Sequence, residues 1–292
     1  MSKAYDNFGM EMRLRELDPA LHKRFTDTVS VTGNLLFRYK RYFPEYNDHS
    51  GLHSMSVIDL CNQLIGKEQI LRLNQDELYI LLMSCHLHDV GMGITSKEYD
   101  EFREKIDFRD YFENHPNAPL DRIIRDFHQE FSALFIEKHT GFLELPSEAH
   151  LYAVMQVVRG HRKTDLFERN EFPPDFALPN GRSVCLPYLA ALIRLADEID
   201  VDALRSSVLL FDVDSFESEE EVMYYYRTRA CERMEITRDT IIMHVRTEDP
   251  AVKEALEKLK DKIQETLELC TRVVETTPYI LTQHRVEMKW II

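Results

Sequence analysis

The sequence predicts a mainly α-helical fold, a helical bundle followed by a smaller C-terminal α+β unit. Apolar residues recur at three- and four-residue steps through most of the chain up to Arg205, and capping residues and prolines punctuate those stretches. Beyond Arg205 the texture changes to short β-branched and aromatic runs. Residues 1–205 are therefore expected to form the helical domain with its N-terminal helices, and residues 206–292 the α+β unit.

Met10 to Leu17 reads as a brief helix, and Asp18-Pro19 as an N-cap with a first-turn proline. The next helix runs toward Phe43 with Leu21, Phe25, Val29, Leu36 and Tyr39 on one face and an interruption near Gly33; Pro44 ends it. The loop PEYNDHSG, which holds His49, leads into a helix from Leu52 to Ile65, where His53, Val57, Leu60 and Leu64 share a face. Asn74 or Asp76 caps a helix whose LYILLMSCHLH core is apolar nearly all round and so belongs in the interior. Gly91 and Gly93 stop it just past His88-Asp89. Residues 95–120 read as a helix plus a loop. Helices from Leu120 to His139 and from Ser147 to Gly160 then carry His128 near the middle of the first and deliver His161 beyond the end of the second. Thr164 to Arg182 holds three prolines and Asn180-Gly181, and reads as a long loop, either a binding wall or a surface excursion. A helix from Leu186 to Asp200 sets Ala190, Arg194 and Asp197 on one side. The acidic run Glu217 to Glu221 reads as a solvated turn. VLLFDVD, EVMYYYRTRA and TIIMHVR read as strands, Asp249-Pro250 starts an amphipathic helix to Val274, and TQHRVEMKWII is the last strand.

The formal net charge of −15 argues against broad contact with nucleic acid or an anionic membrane, because neutralising many phosphates needs a basic surface. A local basic pocket for a small phosphorylated molecule is compatible with that charge. The five cysteines form no C-x-x-C pair and no framework, which fits free thiols in a reducing cytoplasm. The N-terminus has no positively charged lead into an apolar core and no apolar run reaches membrane-spanning length, so the expectation is a cytoplasmic chain.

An apolar helix that ends in His88-Asp89 is costly to bury unless those groups are paired or coordinated. Imidazole and carboxylate both bind divalent cations, and the second carboxylate oxygen can reach a second cation. His53, His128, His161 and Asp197 stand at wide intervals around the pair. Taken alone, each of these histidines reads first as a cap or a core residue; the order of the set is the signal.

The motifs YNDHSGLHSMSV, LHDVGMGI, HQEFS, RGHR and LADEID, which span Tyr46 to Arg205, resemble the HD superfamily of metal-dependent phosphohydrolases, and within it the HD-CE-type group. The resemblance implies a helical HD-domain bundle in which His53, His88, Asp89 and Asp197 form one cation site and His128 with His161 a second, across a bridging Asp89. One or two divalent transition-metal ions are implied, and such donors suit Mn, Fe, Co, Ni or Zn better than Ca. Two cations suit phosphate ester or anhydride cleavage by metal-bound hydroxide, and the resemblance points to a nucleotide as substrate. His88, Asp89, His49 and Arg194 are the catalytic candidates, with His49 read equally as a helix cap. Arg159, Arg162 and Lys163, with Arg194, are candidates for substrate phosphates, because guanidinium grips two oxygens at once; the RGHRK cations read equally as surface ion pairs. His86 is expected to be structural, and His22, His115, His139, His150, His244 and His284 to be ordinary surface or packed residues. A non-catalytic nucleotide-binding signalling module is the alternative, and a nuclease a third reading that the acidic balance opposes. A homo-oligomer is compatible with the sequence.

Overall fold

Side-chain caps set several of the helix starts. The computed structural model describes residues 9–43, 51–201 and 219–291. Helix α1 covers Met10–Leu17, and α2, Pro19–Thr32, begins on Asp18, whose carboxylate accepts the amides of Ala20 and Leu21. A 3₁₀ turn at Leu36–Arg41 follows the break near Gly33. Helix α3 covers Gly51–Ile70 and is broken at Gly66, whose φ of 69° lies in the left-handed region open to glycine, so its regular part ends near Ile65. Helix α4, Gln75–Leu87, starts on a capping box: Asn74 accepts from the amides of Asp76 and Glu77 while Glu77 accepts from that of Asn74. Helices α5 (Ser96–Phe102) and α6 (Arg109–Asn114) are short, whereas α7 (Leu120–Lys138) is long and amphipathic. The four-residue α8 (Thr140–Leu143) and the Ser147 cap lead into α9 (Glu148–Gly160). The segment expected to be a loop carries a small antiparallel hairpin, β1 (Phe176–Ala177) with β2 (Ser183–Val184), before α10 (Leu186–Ile199).

In the C-terminal region α11 (Glu219–Ala230) leads into β3 (Cys231–Ile236), β4 (Thr240–Val245), α12 (Pro250–Val274) and β5 (Arg285–Trp290). β4 is central, antiparallel to β3 and parallel to β5. EVMYYYRTRA is thus a helix, not the expected strand, and the last residues of the acidic run are helical rather than a turn. Tyr225, Thr228 and Ala230 are its buried residues among those described, the Thr228 hydroxyl donates to the Tyr224 carbonyl, and Arg227 and Arg229 lie over the rings of Tyr224 and Tyr225. The strand that the sequence reading missed, CERMEI, hides behind charged side chains that pair along the sheet, Glu235 with His244 at 2.7 Å. Val208 to Asp214, read as a strand, and His49 lie outside the described residues.

Every residue of α4 from Leu78 to Leu87 is buried, as its all-round apolar sequence requires. One apolar cluster runs from Met10 on α1 through α4, α9 and α10 to Leu256, Ile263 and Leu267 on α12. A second, with Tyr39, Phe43, Val90, Met92, Phe131 and Phe135, clamps the turn after His88-Asp89 against α7. No helix among the described residues is long and apolar enough to cross a membrane.

At the end of α4 away from His88, the buried Glu77 joins three segments. Its carboxylate accepts the Asn74 amide at 3.0 Å, the Cys185 amide that precedes α10 at 3.2 Å, and the Tyr279 hydroxyl at 2.7 Å. Burial pushes the Glu77 pKa above the ordinary carboxylate value, against the downward pull of those donors. Tyr279→Phe leaves this buried group one donor short and should cost about 1–3 kcal/mol, read as a fall in Tm. Because the folded pKa is already raised and rises further without Tyr279, the deficit is full at neutral pH and shrinks as pH falls toward the unfolded value of 4.5. A deficit that is the same at pH 7 and pH 4.5 would contradict this role for Glu77.

Candidate metal centre

Five helices bring the sequence-predicted donors that lie among the described residues together. His53 comes from the first turn of α3, His88 and Asp89 from the end of α4, His128 from the middle of α7, His161 from the C-cap of α9 and Asp197 from the last turn of α10. All four imidazoles are buried, as is Asp89. His53 Nε2 lies 3.0 Å from His88 Nε2, 3.4 Å from Asp89 Oδ2 and 3.3 Å from Asp197 Oδ1; His88 Nε2 is 3.4 and 3.6 Å from the same two oxygens. On the other side of the same carboxylate, Asp89 Oδ1 lies 3.3 Å from His128 Nε2 and 3.9 Å from His161 Nε2, which are 2.9 Å apart. Donors about 2.0–2.1 Å from a shared cation sit about 2.9–3.4 Å from one another in octahedral or tetrahedral arrangements. His53, His88 and Asp89 form one group that can hold an ion, and Asp89, His128 and His161 another.

The second nitrogen of each ring tests that fit. His88 Nδ1 donates to the Cys85 carbonyl at 3.0 Å, His128 Nδ1 to that of Arg125 at 2.7 Å and His161 Nδ1 to that of Val158 at 2.5 Å. His53 Nδ1 donates to the Asp200 carboxylate at 2.6 Å. A carbonyl can only accept, so each Nδ1 carries the hydrogen and each Nε2 of a neutral ring presents a lone pair. His128 and His161, both neutral, then face each other at 2.9 Å with no proton between them, an arrangement that a cation relieves; His53 and His88 meet at 3.0 Å, where positive charge is held either as a proton on His88 or as a cation. The electrostatics show this demand for positive charge. Burial disfavours a charged His88, yet Asp89 and Asp197 outweigh it and hold its pKa well above the ordinary histidine value. Asp197 stays well below the carboxylate range despite burial, because His53 and His88 hydrogen-bond to it. Burial pushes His128 down to about 4, and burial with the nearby His128 and His88 takes His161 well below its usual value, so both rings are neutral and ready to ligate at neutral pH.

The turn that holds Asp89 between the two groups is pinned to α7. Ser132 Oγ donates to the His88 carbonyl at 2.5 Å and accepts the Gly91 amide at 2.8 Å. A Cβ on Gly91 would lie 2.3 Å from the His128 carbonyl and 2.5 Å from the Ser132 amide, so glycine is required for this approach.

The cations named from the sequence are placed unequally. Arg194, expected at substrate phosphates, is buried, and its Nε and Nη2 donate to the carbonyls of Gly160 at 2.8 Å and Thr164 at 2.6 Å, on either side of His161. Arg159 is held by Glu130 at 2.8 Å and Glu171 at 3.0 Å. These three residues, with Gln129, Lys163 and Thr164, border a pocket of about 390 Å³. Arg162 is half-buried, and its charge is felt at His128; Lys163 is exposed. His86 packs away from the centre, with Nε2 2.7 Å from Thr32 Oγ1 and burial lowering its pKa to about 4. Asp200 and Ser132 were not picked out by the sequence reading. Asp200 stands three residues after Asp197, on the same side of a helix turn, which is the signal that could have found it; Ser132 has none, because its role depends on where α7 passes the turn.

Residues 43–275, well over half of the chain, match the family model described as HD-CE. No curated protein and no solved structure matches.

Proposed function

The chain belongs to the HD-CE family, and on that premise we propose that it is a metal-dependent phosphohydrolase that cleaves a phosphate ester or anhydride bond in a small phosphorylated molecule, a nucleotide by preference. The observation that carries this reading is the sharing of one carboxylate, Asp89, between two groups of inward-facing donors. His53, His88, Asp89 and Asp197 would hold one divalent cation, and Asp89, His128 and His161 a second. Bound there, such ions supply Lewis-acid charge to phosphoryl oxygens and lower the pKa of water, which is what phosphate cleavage demands. Imidazole-rich donors favour Mn, Fe, Co, Ni or Zn.

The chain's own residues do the positioning. The carbonyls of Cys85, Arg125 and Val158 fix the tautomers of three ligand rings, and Arg194 fastens the strand of backbone around His161. Arg162, half-buried and with its charge felt at His128, is the cation we assign to a phosphoryl group. The net charge of −15 favours a small substrate over nucleic acid, and five free, buried cysteines accord with a cytoplasmic location.

The test is a nucleotide panel with purified, manganese-loaded protein. Release of phosphate or nucleoside that disappears on chelation and returns with added metal is the expected result. Stoichiometric metal binding with no release from any mono-, tri- or cyclic nucleotide would refute the reading.

A further inference from the structure

Three of the ligand imidazoles rest on main-chain carbonyls, which are neutral; the fourth, His53, rests on the carboxylate of Asp200 at 2.6 Å. Asp200 is buried, 2% exposed, and its other oxygen accepts the Ser56 hydroxyl from α3 at 2.6 Å. Its ring contact therefore has a fixed direction, held between α3 and the end of α10. A carboxylate behind an imidazole keeps the ring in one tautomer and makes the far nitrogen a stronger donor to a cation. The two sides of the centre differ in charge as well. The His53 side faces Asp89 Oδ2 and Asp197 Oδ1, with Asp200 behind it. The His128 side meets the remaining oxygen of Asp89, and Arg162 adds a positive charge there.

We propose that Asp200 is a positioning residue that acts through His53 and makes the His53 side the tighter of two unequal cation positions, filled first. This rests on the two-cation reading above and concerns the order of loading, not the reaction.

Cobalt(II) alone is the probe, titrated into metal-free protein and followed by visible d–d absorption and by calorimetry. The wild-type chain takes up the first equivalent at least tenfold more tightly than the second. Asp200→Asn keeps the shape and an acceptor for Nδ1 but removes the charge; the first step weakens about 10–100-fold while the second shifts less than about twofold and the Tm of the metal-free protein stays near that of wild type. Ser56→Ala, which frees Asp200 to swing, weakens the first step in the same direction by less, and it carries the test where Asp200→Asn does not fold. Two equal steps in the wild type, an Asp200→Asn chain whose steps weaken alike, or unchanged constants in both variants would overturn the proposal. Unequal steps that respond to Asp200→Asn in a protein with no nucleotide turnover would sink the phosphohydrolase reading and leave this one standing; turnover with constants insensitive to Asp200 would do the reverse.

Discussion

Asp89→Asn is expected to take the bound cations from two to at most one and to lower kcat/KM on any substrate found by about a thousandfold or more. The reason is geometric. One carboxylate faces His53 and His88 with Oδ2, 3.4 Å from each, and His128 with Oδ1 at 3.3 Å. Asparagine matches its shape but replaces one of those oxygens with an NH₂ that cannot donate a lone pair, and it removes the charge shared by both groups. Loss of one cation's stabilisation of developing phosphoryl charge is worth several kcal/mol, and about 4 kcal/mol is a thousandfold in rate. Asp89 is also the largest upward influence on the His88 pKa, so in the metal-free variant that ring returns toward its ordinary value. Metal analysis after gel filtration, alongside kcat/KM, gives the answer. A variant with two tightly held cations and wild-type turnover would mean that Asp89 is not the bridge.

The order of the ligand motifs was legible in the sequence because each sits on a local feature with its own signature: an apolar helix running into His88-Asp89, a capped helix ending at His161, a periodic helix carrying His128. What joins those helices was not legible. Arg194 illustrates why: its spacing from Asp197 puts it on the correct helix face, yet which partner meets the guanidinium depends on how closely α9 approaches α10, and Gly160 allows that approach with its carbonyl aimed at Arg194. The error at EVMYYYRTRA has a different origin. Three adjacent tyrosines carry strand propensity, but propensity on a half-buried segment gives way to packing: only Tyr225 of the three is buried, Thr228 is buried three residues on, and the helix packs on α12. Likewise the Glu77 junction unites residues more than 200 positions apart, a separation no local pattern encodes.

Gly91→Ala should be the most damaging of the glycine-to-alanine changes. The residue follows Asp89 by two positions in the 3₁₀ turn Val90–Gly93, and the two α7 atoms its added Cβ would meet first are backbone, which cannot swing aside as a side chain can. An added Cβ would stand 2.3 Å from the His128 carbonyl carbon's oxygen, 2.5 Å from the Ser132 amide nitrogen and 2.8 Å from Ser132 Oγ. Relief requires either α7 or the turn to move by about 1 Å, since carbon rarely approaches such atoms closer than about 3 Å. Either shift breaks the Ser132 bonds to His88 and Gly91 and separates Asp89 from His128, so the fold and the second cation position suffer together. Overpacking of this kind costs about 1–3 kcal/mol or more, a Tm lower by about 2–5 °C or more in a chain of this size, and the weaker cobalt step should be lost before the tighter one. Gly141→Ala on the short helix α8 is the matched control, because an added Cβ there meets no atom of the described residues within 4 Å. If Gly91→Ala melted within a degree of Gly141→Ala and bound both equivalents of cobalt as the wild type does, the turn would not be what holds the two halves of the centre at their working distance.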